Sequence, residues 1–242
     1  MERKFFLRQG LTALGAAFVM PLAHSCQKED TTSPTTTTTT DGSSTTTTGT
    51  CTVAPTETEG PFPTHSPSSY VRSDIRDDRE GYELSATITI GKVSNSCAAL
   101  ANVIVDIWHC DAAGNYSEYG GTQMQSTNYT SVHFLRGRQV TDANGQVKFT
   151  SIFPGWYQGR ATHIHVHIFD AAGNSLNITQ IAFPEGTGSA LLAVSGYSKG
   201  MSGYTYNASD SIFKDDTTGV QLATVSGSTS SGFTLAIQLN VA

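Results

Sequence analysis

The chain lacks a membrane-spanning run: its one sustained apolar stretch, Leu11 to Leu22, falls short of the roughly 20 residues a transmembrane helix needs. It also lacks a basic patch. Lys and Arg number 14 against 20 Asp and Glu, they are scattered, and a net charge of −6 leaves no electrostatic footprint for nucleic acid. Long helical periodicity is almost absent, so strands must build the fold. Cysteine is sparse too, with four in all and three after Cys26, too few for a domain stapled mainly by disulfides.

What is present begins with an export signal. Arg3, Lys4 and Arg8 precede the Leu11–Leu22 run, and small residues lead to Cys26, a secretory pattern. Ala23-His24-Ser25-Cys26 resembles a lipobox, at which a bacterial precursor is lipidated on cysteine and cleaved just before it; an ordinary signal peptide with a coincidental cysteine is the alternative. Arg3 to Arg8 also looks like a weakened twin-arginine signal, and Gln27 to Asp30 resembles a surface-export signal. Residues 27–50, above all Thr31 to Thr50, are dominated by Thr, Ser, Gly and Pro and read as a disordered tether. The expectation is an exported protein of the bacterial cell envelope, an outer-membrane or surface lipoprotein that meets the membrane only through a lipid at Cys26. That leaves residues 51–242 as one domain of roughly 190 residues.

Within that domain, Leu84–Val93 and Val103–His109 alternate apolar and polar residues, as strands do, and Phe134–Thr141, Val147–Ile152, His163–Phe169, Ile178–Phe183 and Phe233–Val241 read as further strands. Asp142-Ala143-Asn144-Gly145 reads as the turn of a hairpin between two of them. Asp111 to Asn115 and Asp170 to Asn174 repeat one five-residue turn, and Leu191 to Thr218, rich in Gly, Ser and Tyr, has room for a short helix. The expected fold is all-β, an antiparallel β-sandwich whose long loops carry the active site at one rim. Cys97 precedes the strand that ends at Cys110, and about a dozen residues of extended chain hold those two beyond bridging distance. Cys51 to Cys97 is therefore the favoured bridge, with Cys110 a buried thiol, though sequence alone does not fix the connectivity.

The densest chemistry lies between Tyr157 and His165. His163 and His165 alternate around Ile164, so both imidazoles leave one face of a strand while Ile164 enters the layer behind. Tyr116 follows the first DAAGN turn and Tyr157 follows Pro154-Gly155-Trp156, each at a strand end. If those ends meet, two phenolates and two imidazoles can converge on one ion, a set that suits ferric iron better than zinc. Each residue also has a plainer reading. A tyrosine at a strand end is ordinarily a capped core residue, and Arg160 could simply pair with an acid. His167 shares the histidine face, so a three-histidine zinc or copper site is the rival; His109 is a weaker candidate behind the ligands, and His133 an ordinary polar residue.

The runs VDIWHCDAAGNYSEY and FLRGRQVTDANGQVKFTSIFPGWYQGRATHIHVHIF, with TEGPF upstream, together resemble the intradiol ring-cleavage dioxygenases, the catechol and protocatechuate dioxygenases, over roughly Pro55 to Phe183 in matching order. The resemblance implies a non-haem Fe(3+) bound by Tyr116, Tyr157, His163 and His165. It gives Tyr157 a second role as proton acceptor, makes Arg160 the active-site arginine and matches Gln180 to a supporting glutamine. It implies a catechol-type substrate cleaved with O2 between its two hydroxylated carbons to a cis,cis-muconate-type diacid. Phe62, Pro63 and Trp156 are candidates for the pocket wall or for core packing. The Tyr157-to-Arg160 segment is much shorter than in the cytoplasmic members, and no N-terminal helical dimerisation region is evident, so substrate choice and assembly do not carry over. A non-catalytic tethered β-sandwich binding module is the alternative function.

Overall fold

The structure, a computed structural model, describes residues 51–186 and 191–242. The expected signal peptide, the Cys26 site and the tether fall on residues 1–50, outside the described residues.

Among the described residues nine strands form two sheets. They are β1 (Glu83–Lys92), β2 (Ala98–Ala99), β3 (Ile104–Trp108), β4 (Arg136–Val140), β5 (Gln146–Ile152), β6 (His163–Phe169), β7 (Ser175–Ala182), β8 (Thr224–Ser228) and β9 (Gly232–Val241). One sheet runs β2-β1-β9-β8 with β5 also on β1; the other runs β4-β3-β6-β7. The inward side chains follow the period of two. Leu84, Ala86, Ile88 and Ile90 of β1 and Leu235, Ile237 and Leu239 of β9 meet Val105 and Ile107 of β3 and Ile164, Val166 and Ile168 of β6 in one core. Burying a side chain of this size stabilises by about 1.5–3 kcal/mol, so the alternation in β6 settles which face its histidines occupy. They point outward, away from the sandwich interior.

The all-β sandwich of antiparallel sheets is as expected, and one local expectation needs correction. The Asp142–Gly145 turn is real, with Gly145 N donating to Asp142 O at 2.9 Å, but it does not close a hairpin. β4 pairs with β3 and β5 with β1, so the turn is a corner between sheets. Its Asp142 carboxylate caps Asn144 N and Gln146 N, a local device that works equally well in either setting. Within the antiparallel sandwich one strand pair is parallel, β1 with β9, from Leu84↔Phe233 to Lys92↔Val241. The β8–β9 hairpin, unanticipated in its first strand, delivers β9 beside β1 in the same direction. The short helix falls where room was expected, at α1 (Leu191–Gly196).

Cys51 and Cys97 are bridged, with Cα atoms 5.6 Å apart, and Cys110 is a buried free thiol. The bridge ties the start of the domain to the β1–β2 turn across a sequence separation of 46 residues. Cys97→Ser is expected to lower the unfolding free energy by roughly 2–4 kcal/mol in denaturant titration; an unchanged midpoint would show that the closed loop contributes nothing.

Candidate metal centre

The site is built on the outer face of the four-stranded sheet. Register places Arg136, Trp108, His165 and Gln180 side by side across β4, β3, β6 and β7. His165 stacks on Trp108 with ring centroids 4.9 Å apart and planes 1° from parallel, which fixes its ring. Over this row runs the strap around Gly60. Gly60 has φ +70°, and a Cβ there would come within 3.1 Å of His165 Cε1, so only glycine lets the strap lie this close. Phe62 of the strap stacks on Tyr116 at 4.8 Å.

Three donor atoms meet beneath the strap. Tyr116 Oη lies 3.1 Å from His163 Nε2 and 3.4 Å from His165 Nε2, and the two imidazole nitrogens are 3.0 Å apart. For bonds of about 2.0–2.1 Å to one small ion, neighbouring donors stand about 2.9–3.4 Å apart, so the spacing fits a shared metal. His163 Nδ1 can only donate to Ala161 O, at 2.6 Å, which leaves Nε2 with its lone pair facing Tyr116 and His165. Burial, then the charge of Arg160, pulls the His163 pKa down to about 3. Burial, then His163, holds His165 well below the ordinary value. Both rings are therefore neutral, as ligands must be. Burial pushes the Tyr116 phenol well above 10, so its ionisation requires a cation at the point where the donors meet.

Tyr157 stands beside this trio without joining it. Its ring is 6.1 Å from that of Tyr116, and its hydroxyl donates to Met124 O at 2.8 Å on the exposed side. The expected four-donor convergence is thus three donors with the fourth phenol held at the edge by a main-chain carbonyl. His167 is drawn off by Glu59 at 3.1 Å and Ser175 at 2.8 Å, so it does not complete a three-histidine site. Among the described residues no group of three His, Cys, Asp or Glu side chains is placed to share an ion. His109 is buried against Ser151 and Cys110 O, a structural pairing. Trp156 and Phe62 are buried and Pro63 partly so; Tyr119 donates to Pro63 O at 2.6 Å.

Arg160 is held from two sides. Its Nε donates to Asp210 at 2.9 Å and its Nη2 to Gln180 Oε1 at 2.7 Å, while Gln180 Nε2 anchors to Thr58 O. Only Gln158 and Gly159 separate it from Tyr157, and Arg160 N closes that turn on Tyr157 O. Three supports carried no signal in the sequence. Asp210 comes from the Gly/Ser-rich segment and is wholly buried. Buried Arg136 spends its N–H groups on Phe62 O, Thr64 Oγ1 and Ser117, locking the strap to the Tyr116 loop. Gln125 accepts from Tyr116 N and donates to Tyr116 O, fixing the backbone of the buried phenol.

A dioxygenase family model matches residues 59–192, which hold every candidate ligand, Arg160 and Gln180. The chain is 35% identical over 100 residues to the protocatechuate 3,4-dioxygenase beta chain of Burkholderia cepacia, covering 38% of this chain and 40% of that one. It is 33% identical over 107 residues to catechol 1,2-dioxygenase of Acinetobacter baylyi, covering 43% and 32%. The matched stretches thus span less than half the length of either relative. Among solved structures, an intradiol ring-cleavage dioxygenase from Tetranychus urticae superposes with a TM-score of 0.66 at 31% identity, covering 79% of this chain and 94% of that one. With more than half of its length inside the family match, this chain belongs to the intradiol ring-cleavage dioxygenases.

Proposed function

We propose that this protein is a non-haem iron(III) dioxygenase that opens a catechol-type ring with O2 between its two hydroxylated carbons, giving a cis,cis-muconate-type diacid. The observation that carries this reading is the meeting of Tyr116 Oη, His163 Nε2 and His165 Nε2 at 3.0–3.4 Å, beside a second tyrosine and an oriented arginine. Tyr116, His163, His165 and Tyr157 would hold the iron. Bound there, Fe(3+) supplies the Lewis acidity that lets phenols and a diol bind as anions and makes the ring reactive toward dioxygen.

The chain's own groups do the rest. Tyr157, whose hydroxyl among the described residues is tied to Met124 O alone, is the phenol able to leave its place and hold a diol proton at Oη. Asp210 and Gln180 fix two edges of the Arg160 guanidinium, and its Nη1, without a partner among the described residues, is left to meet negative charge developing on the ring. Phe62, packed on both tyrosines, keeps water from the donors.

Iron content, visible absorbance and oxygen uptake with catechol test the proposal together. A red, iron-bearing protein that consumes oxygen is expected; a colourless protein that binds zinc stoichiometrically and consumes none would falsify it and favour the binding module. Tyr157→Phe is expected to shift the tyrosinate-to-iron absorption and lower turnover by roughly 10²-fold or more. Export with lipidation at Cys26 completes the proposal. The Cys51–Cys97 bridge supports an oxidising destination, and labelling of Cys26 by a fatty-acid probe tests the anchor.

A further inference from the structure

Resting on the dioxygenase reading, we infer that the site selects catechols whose ring substituents are uncharged and rejects diols that carry a carboxylate. The inference comes from where the positive charges go. Three cationic side chains bond to residues that build the site, and all three are already engaged. Arg160 is countered by the wholly buried Asp210 carboxylate at 2.9 Å. Arg136, 1% exposed, is committed to Phe62, Thr64 and Ser117 and lies 3.5 Å from Glu118. Lys199 donates to Trp156 O at 2.6 Å with its ammonium 3.9 Å from the Trp156 ring centre.

The remaining cations of the described residues are spent elsewhere. Arg72, Arg76, Arg79 and Arg138 pair with Asp77, Asp74, Asp78 and Asp106, and Lys92 and Lys148 sit on β1 and β5 of the opposite sheet. Lys214 is the one exposed cation next to a site wall, since its neighbour Phe213 lies 6.4 Å from the His163 ring and 5.7 Å from the Arg160 guanidinium. Asp215 and Asp216 follow it directly.

Negative groups, by contrast, gather around Arg160. Glu57 runs beside β7, its N–H donating to Ile178 O. Its carboxyl, raised by burial and then by Asp215, also feels Arg160 and Asp210. The one carboxylate bonded to the guanidinium is that of Asp210, while the walls offered to a ring, Phe62 and Phe213, are apolar. A carboxylate on a ring substituent loses its water and meets no cation free of a partner, since the one open N–H group of Arg160, at Nη1, is left for charge on the ring itself, and it faces the Asp210 carboxylate. An ester or alkyl group meets none of these penalties.

The test compares 3,4-dihydroxybenzoate with its methyl ester, which differ in charge at one ring position. Both are titrated into the iron-loaded protein under argon, followed by the change in visible absorbance, and then turned over in air. The ester is expected to bind more tightly and to show the higher kcat/KM by on the order of 10- to 100-fold at pH 7. Glu57→Gln is expected to narrow that gap by improving the acid. Equal or tighter binding of the free acid overturns the inference and leaves the dioxygenase reading standing; if Lys214→Gln then removes that binding, Lys214 is the carboxylate receptor. A protein that retains no iron, or binds neither diol, overturns both.

Discussion

His163→Ala is expected to leave a folded protein that retains no ferric iron, shows no visible colour and consumes no oxygen with catechol. The reason lies in how few donors converge. Among the described residues three atoms meet within 3.0–3.4 Å, and His163 Nε2 is the one whose lone pair is fixed by a hydrogen bond behind it, from Nδ1 to Ala161 O. Outer partners of metal ligands are worth roughly 10- to 100-fold in affinity, so removal of a ligand itself should exceed the top of that range. The fold should survive, because His163 opens β6 and points out of the core that Ile164, Val166 and Ile168 form. His167→Ala serves as the control: it sits on the same face but bonds Glu59 and Ser175, and iron should be retained in full. Metal analysis of the two purified variants, with circular dichroism to confirm folding, checks the pair. Stoichiometric iron in His163→Ala would place the centre elsewhere.

What could be read in advance was whatever depends on near neighbours along the chain. Alternation alone put His163 and His165 outward and Ile164 inward, because a shift by one residue would bury two imidazoles in an apolar core. The reach of extended chain excluded a Cys97–Cys110 bridge and favoured Cys51–Cys97 without fixing it, and the DAAGN turns followed from the aspartate that caps its own loop. What escaped depends on partners far apart in sequence. Asp210 reaches Arg160 across 50 residues, and Arg136 reaches the strap across more than 70. Neither has a local pattern to betray it. The Asp142–Gly145 corner was misread for a related reason: turn chemistry specifies a reversal, and only the pairing of β5 with β1 decides that the reversal changes sheets. The direction of the Tyr157 hydroxyl is set by Met124 O on a separate loop, so a strand-end position could bring the ring close without aiming it.

Arg160 and Asp210 should fail in different ways. Arg160→Ala removes a group that is no metal donor, so iron and colour should persist while kcat falls by roughly 10²–10³-fold, the usual loss for one oriented stabiliser of developing charge. Arg160→Lys should recover little, since one ammonium cannot reproduce the fork that spans Asp210 and Gln180. Asp210→Ala should instead cost the fold itself. Its carboxylate accepts from Arg160 Nε, Ala161 N and Ile212 N, and removing it strands a charge and two amides, for roughly 3–5 kcal/mol. The sign of the pH dependence separates charge from packing. Burial alone would raise the Asp210 carboxyl, but Arg160 and the two backbone N–H groups outweigh it and hold it below its ordinary value. A carboxyl depressed in the folded state contributes stability above its unfolded pKa of about 3.9, and that contribution is lost as pH falls through the folded value. The stability gap between the parent protein and Asp210→Asn should therefore be widest at neutral pH and shrink below about pH 4. A gap that stayed constant across that window would mean that Asp210 acts by shape alone and that Arg160 is oriented by Gln180 without it.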